Sequence, residues 1–415
     1  MGEIARASIA ALSLRDFRNF ERLELELPES GIAIVGENGQ GKTNLLEAVA
    51  YLSLLRSMRG ARDADVVRFG APVFHVRAEL ASPPNSPAGY NSVAVGYERA
   101  TKRKRASLDG VEQGRLTFAL GAVPSVCFSP ADTLLVAGGP GERRRYLDVM
   151  LSLTSRQYLQ ALQQYRAALL RRNAALRLAQ REGPRAAALH VDRISVWEPA
   201  LAEHGSIVTS VRRSFVSRHA DTFTRLAAAI GEESVVSMRY HPSAGGSTHD
   251  EATPPASDQT AAFMHAYAAQ RSVEMRRGTT LAGPHRDELQ LLLGGRELRV
   301  FGSAGQQRSA AIALRLLELT SLRDSIGSSP LLLLDDPFAE LDARRAARVL
   351  SLLEASGVGQ TLLAVPRIED IPPAFTRLER RQMTNGVLRD MPLPAPSPVI
   401  PDRDSSSFQP TDLTS

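Results

Sequence analysis

A single cysteine, Cys127, is all that this chain of 415 residues contains. A disulfide within the chain is excluded, and a reducing compartment is expected. With no partnering histidine or asparagine nearby, Cys127 reads as a small buried apolar group rather than a nucleophile. Long apolar runs are missing as well. The N-terminal stretch "MGEIARASIAALSLRDF" has no uninterrupted apolar core of signal-peptide length. Nothing approaches the roughly twenty apolar residues of a membrane span. Gly2 is followed by Arg6 where a myristoylation signal needs Ser or Thr. These absences make a soluble, cytoplasmic protein the expectation.

What is present has globular balance, with 43% hydrophobic and 23% charged residues. Fifty basic residues against forty-five acidic give a net charge of +5. This mild excess fits a nucleic-acid partner without requiring one.

The first third alternates strand, loop and helix. "LELEL" at 23–27 alternates like a half-buried strand, and "GIAIVG" at 31–36 is a short apolar run ending in glycine. "SVAVGYERATKRKRASLDG" at 92–110 reads as a hairpin with a basic turn, Lys102, Arg103, Lys104 and Arg105, closed by an Asp-Gly turn. Those four residues are candidate contacts to DNA phosphates; the competing reading is a solvated turn. Residues 143–182 contain neither Gly nor Pro. Tyr158, Leu162, Tyr165, Leu169 and Leu176 fall on one face of a helix there. A second helical segment spans 186–230, and the pair predicts an antiparallel helical arm. Residues 241–258 read as a polar loop, with an α/β pattern resuming near 273. The Pro-, Ser- and Asp-rich stretch 391–415 cannot bury a core and is expected to be a disordered tail.

Three motifs carry chemistry. "GENGQGKT" at 36–43 follows a predicted strand and opens a predicted helix, the context a phosphate-binding loop requires. The loop residues Gly36, Glu37, Asn38, Gly39, Gln40 and Gly41 turn backbone N–H groups toward phosphate oxygens at a helix start. Lys42 can reach the β- and γ-phosphates, and the Thr43 hydroxyl can ligate Mg²⁺. "LLLLDDPFAELD" at 331–342 is an apolar strand ending in two carboxylates. Beside such a loop, Asp335 would hold Mg²⁺ and Asp336 would polarise the attacking water. "FGSAGQQRSAAIALRLLEL" at 301–319 is a small-residue loop running into a helix, a second anion-binding helix start. It lacks a lysine of its own, so it reads as completing another subunit's site.

Residues 302–306, with Ser303, Gly305 and Gln306, resemble the signature loop of ABC-type ATPases, and 339–342 resembles their dimer-contacting D-loop. The long separation of Lys42 from Ser303 is intermediate between transporter ATPases and SMC proteins. "LRDFRNFERLEL" at 14–25, "FSPADTLLVAGGPGERRRYLD" at 128–148, "YLQALQQYRAALLRRNAAL" at 158–176 and "GPHRDEL" at 283–289 all resemble the RecF family. The resemblance covers roughly residues 11–370. It implies an α/β fold, an ABC/SMC-type P-loop ATPase head with an inserted helical-arm subdomain. Residues 1–142 would form the lobe with the P-loop and basic hairpin, 143–270 the helical insert, and 271–390 the signature, aspartate and D-loop segment. It further implies ATP and Mg²⁺ as ligands and an ATP-closed homodimer with Ser303 facing the partner's γ-phosphate. Double-stranded DNA and single-/double-strand junctions would be its substrate, with RecR and RecO, and RecA indirectly, as partners in a nucleoid-associated setting. Asp336 stands where most such ATPases carry Glu, which implies slow hydrolysis suited to a switch. Ala364, Val365 and Pro366 stand where the family is polar, and no glutamine lies near Ala131. Two other readings are open: a DNA-binding scaffold with a vestigial ATPase, and a transporter ATPase subunit. The second requires a glutamine loop, a switch histidine and a short insert. Arg18 and Asn19 are expected near the nucleotide. Arg143, Arg144 and Arg145 at a helix start point either to an anionic partner or to packing. His285 is expected to be a hydrogen-bonded loop residue.

Overall fold

The computed structural model describes residues 5–6, 8–81, 90–183, 187–244, 256–339, 341–357 and 359–391. The expected tail beyond Met391 and most of the polar loop at 241–258 lie outside them.

The apolar run before the glycine-rich loop forms the strand Gly31–Val35, buried at every position. Strands buried on both faces belong to parallel sheets. Gly31–Val35 pairs in parallel with Thr361–Val365 on one side and Glu379–Thr384 on the other. Beyond Thr361–Val365 come Leu331–Asp335 and then Ser125–Phe128, also parallel. An antiparallel strand, Val387–Asp390, closes the opposite edge of this six-stranded sheet.

A second six-stranded sheet is antiparallel and runs in the order Phe20–Glu26, Ser8–Phe17, Val73–Ala81, Ser92–Glu98, Arg103–Leu108, Val111–Glu112. Its central strands alternate buried and exposed, as a sheet wetted on one face must. The helix Lys42–Leu54 lies between the sheets. Leu45, Leu46, Val49 and Tyr51 share one core with Ile32, Leu333 and Leu362 of the parallel sheet and with Phe17, Phe74 and Val95 of the other. The opposite face of the parallel sheet packs on the long helix Ala304–Ile326, which in turn meets the helical insert.

The insert differs in detail from the sequence expectation. Its first stretch is two helices, Pro140–Thr154 and Arg156–Glu182, separated at Ser155, whose hydroxyl accepts from the Tyr158 amide at 3.1 Å. The second segment is also divided, into Ala187–Ser195 and Glu198–Ile230. Pro199 is the cause, because it has no N–H to continue a preceding helix and is well placed in a first turn. A further helix, Ala256–Arg277, replaces the expected loop-to-sheet transition and runs through position 270. Its buried contacts include Phe263 and Tyr267, one turn apart, too narrow a stripe to show in sequence. A small antiparallel sheet of Val236–His241, Glu288–Leu293 and Arg296–Glu297 joins insert to head. No helix among the described residues is long and apolar enough to cross a membrane.

Three insert helices meet at a fully buried cation. Arg172 donates to Glu198 at 2.9 Å, to Glu274 at 2.7 Å and to the Thr280 hydroxyl at 2.8 Å. Its guanidinium also lies 4.8 Å from the Tyr267 ring centroid. Removing one member of a buried ionic cluster leaves charge uncompensated in an apolar setting. Arg172→Ala should cost about 3–5 kcal/mol of stability, read from denaturant unfolding of the purified chain. A loss below about 1 kcal/mol, the scale of an exposed pair, would show that the cluster does not hold the insert together.

Candidate nucleotide-binding site

The turn from strand to helix needs backbone that only glycine adopts readily. Gly39 and Gly41 have φ of 84° and 112°. A Cβ on Gly41 would lie 2.5 Å from the Asn19 amide nitrogen, whereas one on Gly39 would meet nothing within 4 Å. The loop is braced from below by Asn19 and from the side by a hairpin turn. The Gly386 amide donates to the Gln40 carbonyl at 2.9 Å, and the Asn385 amide donates to Gln40 Oε1 at 2.6 Å. "TNGV" is legible as a hairpin turn, but nothing in the sequence says that it touches residue 40.

Lys42 folds back over the loop, its ammonium donating to the carbonyls of Gly36 and Glu37. Burial lowers its pKa, with Asp335 and Asp336 opposing the shift. The Thr43 hydroxyl lies 2.9 Å from each carboxylate oxygen of Asp335. Burial raises the Asp335 pKa, against the Thr43 hydrogen bond and Lys42. Asp336 follows in the left-handed region with φ of 47°, its amide donating to the Ala364 carbonyl at 2.9 Å. Its pKa is also raised, first by burial and then by Asp370.

These groups surround a cavity of about 310 Å³ whose lining includes Asn38, Gly39, Gly41, Lys42, Thr43, Asp335 and Asp336. Asn44, Arg59 and Pro366 complete it, and none of the three is expected from the sequence as a lining residue. Arg59 is placed by Ser57, whose hydroxyl accepts its backbone amide at 3.1 Å. A larger cavity of about 580 Å³ shares Thr43, Arg59 and Asp335 and is lined by Ala131. The expected glutamine-loop region is therefore beside the site, but without its glutamine.

Ser303 caps the helix Ala304–Ile326. Its hydroxyl accepts from the Gln306 amide at 3.3 Å, and Gln306 Oε1 accepts from the Ser303 amide at 2.9 Å. Ser303 is exposed, and neither it nor Gly305 nor Gln306 lines the phosphate cavity. Of the D-loop stretch, residue 340 lies outside the described residues, and Asp342 caps the helix Ala343–Ala355 by accepting from the Arg345 amide at 2.9 Å.

Other expectations change with the geometry. Arg18 does not line the cavity; it holds Glu47 through Nε and Nη2 at 2.8 Å each. Arg103, Lys104 and Arg105 belong to a strand, leaving Lys102 in the hairpin turn. Lys104 points inward, 2.8 Å from Asp63 and 2.6 Å from the Leu55 carbonyl, because strand alternation sets it opposite to its neighbours. It is thereby removed from the candidate DNA contacts. Arg103 and Arg105 are exposed beside Glu112. The arginine triplet serves packing: Arg143 pairs with Glu288 at 2.7 Å, and Arg144 and Arg145 donate to the carbonyls of Asp287 and Ser57. His285 is a loop residue, its ring bonded to Tyr165 and to the Thr280 carbonyl, with a pKa lowered by burial to about 4.

The sequence model described as "RecF/RecN/SMC N terminal domain" matches residues 8–367. The "DNA replication and repair protein RecF" of Salinibacter ruber is 36% identical over 367 residues, spanning 88% of this chain and 86% of the relative. That of Chloroflexus aurantiacus is 36% identical over 389 residues, spanning 89% and 96%. This chain belongs to the RecF family. A solved structure of the recombination mediator protein RecF with ATP superposes with a TM-score of 0.83 at 26% identity, covering 94% of this chain and 99% of that one. The Smc head domain of Pyrococcus furiosus shares the fold at a TM-score of 0.51 and 17% identity, covering 93% and 96%. The ABC/SMC-type head expected from sequence is thus the RecF fold, and the transporter reading falls away.

Gly41 offers a direct test of the loop. Alanine there faces both the Asn19 clash and a backbone strain of about 1–3 kcal/mol. Gly41→Ala should weaken ATP binding about tenfold or more on the scale of 1.4 kcal/mol per decade. Adding Asn19→Ala should restore only part, since the strain persists. Unchanged affinity in equilibrium binding would remove the loop from the site.

Proposed function

We propose that this RecF-family chain is an ATP-binding protein of DNA replication and repair that hydrolyses ATP slowly and uses ATP to close a homodimer on DNA. The observation that carries the reading is the meeting of Thr43 with Asp335 beside Lys42, across 292 positions of sequence. The donor set suits the ligands. A hydroxyl and a carboxylate are hard oxygen donors of the kind Mg²⁺ takes. The Lys42 ammonium, now on its own loop's carbonyls, would exchange them for β- and γ-phosphate oxygens. Bound Mg²⁺ would neutralise phosphate charge. Asp336, which lines the cavity one residue beyond Asp335, takes a proton from water as that water's oxygen attacks the γ-phosphorus. The bond from that phosphorus to the β,γ-bridging oxygen breaks, giving ADP and phosphate. An aspartate reaches one methylene less than a glutamate, which fits a switch that turns over slowly.

The position of Ser303 supports completion in trans. It offers a hydroxyl and a helix start on the surface, away from its own cavity. In the dimer it would face the partner's γ-phosphate, and the closed pair would hold duplex DNA at single-/double-strand junctions. Lys102, Arg103 and Arg105 are the phosphate contacts proposed here. Action with RecR and RecO in loading RecA on gaps rests on the family alone.

ATP turnover with and without duplex DNA is the primary test; absence of turnover would favour a scaffold with a vestigial site. For the dimer, charge-assisted hydrogen bonds contribute about 1.5–3 kcal/mol each, and two-fold symmetry doubles the effect. Ser303→Arg should leave ATP affinity of the monomer nearly unchanged while abolishing ATP-dependent dimerisation in sedimentation. Loss of ATP binding itself would place Ser303 in its own subunit's site.

A further inference from the structure

The helix Arg156–Glu182 has two faces. Tyr165, Ala168, Arg172, Leu176 and Ala179 are buried in the insert, and the ionic cluster at Arg172 fixes that side. On the opposite side Leu170, Ala174 and Leu178 follow at four-residue steps along one ridge, all exposed, Leu170 to 69% and Leu178 to 39%. Arg166 and Arg177 border this ridge on one flank, Arg171 borders it on the other, and Arg181 closes its end; all four are exposed. From Arg166 to Arg181 the face runs about 22 Å, at about 1.5 Å per residue.

A single exposed leucine is ordinary on a soluble protein. Here two leucines flank a small residue, and the helix has no Asp or Glu before Glu182. Glu182 is itself held by His190 at 2.7 Å. Of the four arginines, only Arg166 meets a carboxylate among the described residues, Asp148 at 2.7 Å. The Arg171 guanidinium lies 5.0 Å from the ring centroid of Trp197, the chain's only tryptophan. Trp197 is half-buried where Ala187–Ser195 gives way to Glu198–Ile230. Tryptophan and arginine are among the residues on which protein interfaces depend most.

We propose that this face docks an acidic amphipathic helix of another protein, whose apolar side chains straddle Ala174 between Leu170 and Leu178 and whose carboxylates meet the arginines. Charge and shape decide among the occupants. A second copy bound about a two-fold axis would set arginine against arginine. A membrane surface needs a continuous apolar face to bury, and position 174 supplies only a methyl group. A nucleic-acid backbone would use the arginines but leave both leucines against phosphates. An acidic helix satisfies both kinds of group at once, since the ridge of one helix enters the groove of another where a small residue leaves room. The cluster behind the face holds it in shape before a partner arrives, which lowers the cost of ordering on binding. None of these residues lines the phosphate cavity, so the docking is independent of the nucleotide reading above.

The only tryptophan stands at the rim of this face, so its emission reports docking in the full chain. The probe is a synthetic helical peptide of Glu, Ala and Leu with Leu at three- and four-residue spacing, and its control has Lys for every Glu. The acidic peptide should shift Trp197 emission to shorter wavelength in a saturable titration, and the Lys peptide should not. Arg177→Glu combined with Arg181→Glu should weaken binding about tenfold or more, and Leu170→Asp should do the same. Both variants change exposed positions, so ATP affinity and the melting curve should stay those of the wild type. In the cell, a photocross-linking residue in place of Ala174 should attach to an acidic segment of another protein. No response to the acidic peptide, or an equal response to both peptides, overturns the proposal. A shift caused by duplex DNA or by anionic lipid vesicles, and not by the acidic peptide, gives the face to phosphate backbone or lipid and overturns it as well. Undiminished binding in both variants places the peptide elsewhere on the molecule, with the same consequence, as do cross-links made only to DNA or to a second copy.

Discussion

The hydroxyl of Thr43 sits between the two oxygens of Asp335, and the rest of the head must keep two distant strand ends level for that to hold. Register does the work. Gly31–Val35, Thr361–Val365 and Leu331–Asp335 are buried on both faces, and each face belongs to a different core. A slip of one residue would exchange the two faces of a strand and unmatch both cores at once. Ile32, Ile34, Leu331, Leu333 and Leu362 face the antiparallel sheet, whereas Ala33, Val35, Leu332, Leu334 and Leu363 face the helices. Hydrophobic alternation across the sheet thus fixes a polar contact at its edge.

A second constraint couples the loop helix to its surroundings. Glu47 is wholly buried, and it accepts from Arg18 and, at 2.5 Å, from the Ser57 hydroxyl. The same hydroxyl accepts the amides of Arg59 and Ala61, and the Ser57 carbonyl accepts from Arg145 of the insert. One buried carboxylate therefore ties the antiparallel sheet, the loop helix, the segment carrying Arg59 and the helical insert. A buried charge without its partners is strongly unfavourable, so these four parts hold their relative positions around the cavity.

The three motifs were legible because each combines a local strand or helix signal with a residue whose chemistry is unambiguous. The P-loop, the paired aspartates and the cap at Ser303 all adopt the conformations their neighbours in sequence dictate. Contacts made at long range were not legible. Arg18 looked available for a ligand and instead serves Glu47; Lys104 looked solvated and is turned inward by strand alternation onto Asp63. Arg59, Pro366 and the brace from Asn385 and Gly386 enter the site only through tertiary packing. The insert was readable as helical, but Pro199 divides one segment, and Ala256–Arg277 exposes too small an apolar stripe to announce itself.

The strand Gly31–Val35 finds its ladder partners in Thr361–Val365 and Glu379–Thr384. A ribosome makes the chain in the opposite order to that need. The most apolar segment of the early sequence leaves the exit tunnel with both edges unpaired, and it stays so until almost all of the described chain has been made. Unpaired apolar strands are templates for aggregation. The glycine-rich loop has the same history, since its brace arrives still later. Until residues 361–386 have emerged, the strand and its loop lack these partners, and shielding of this one strand becomes a demand on the cell's folding machinery.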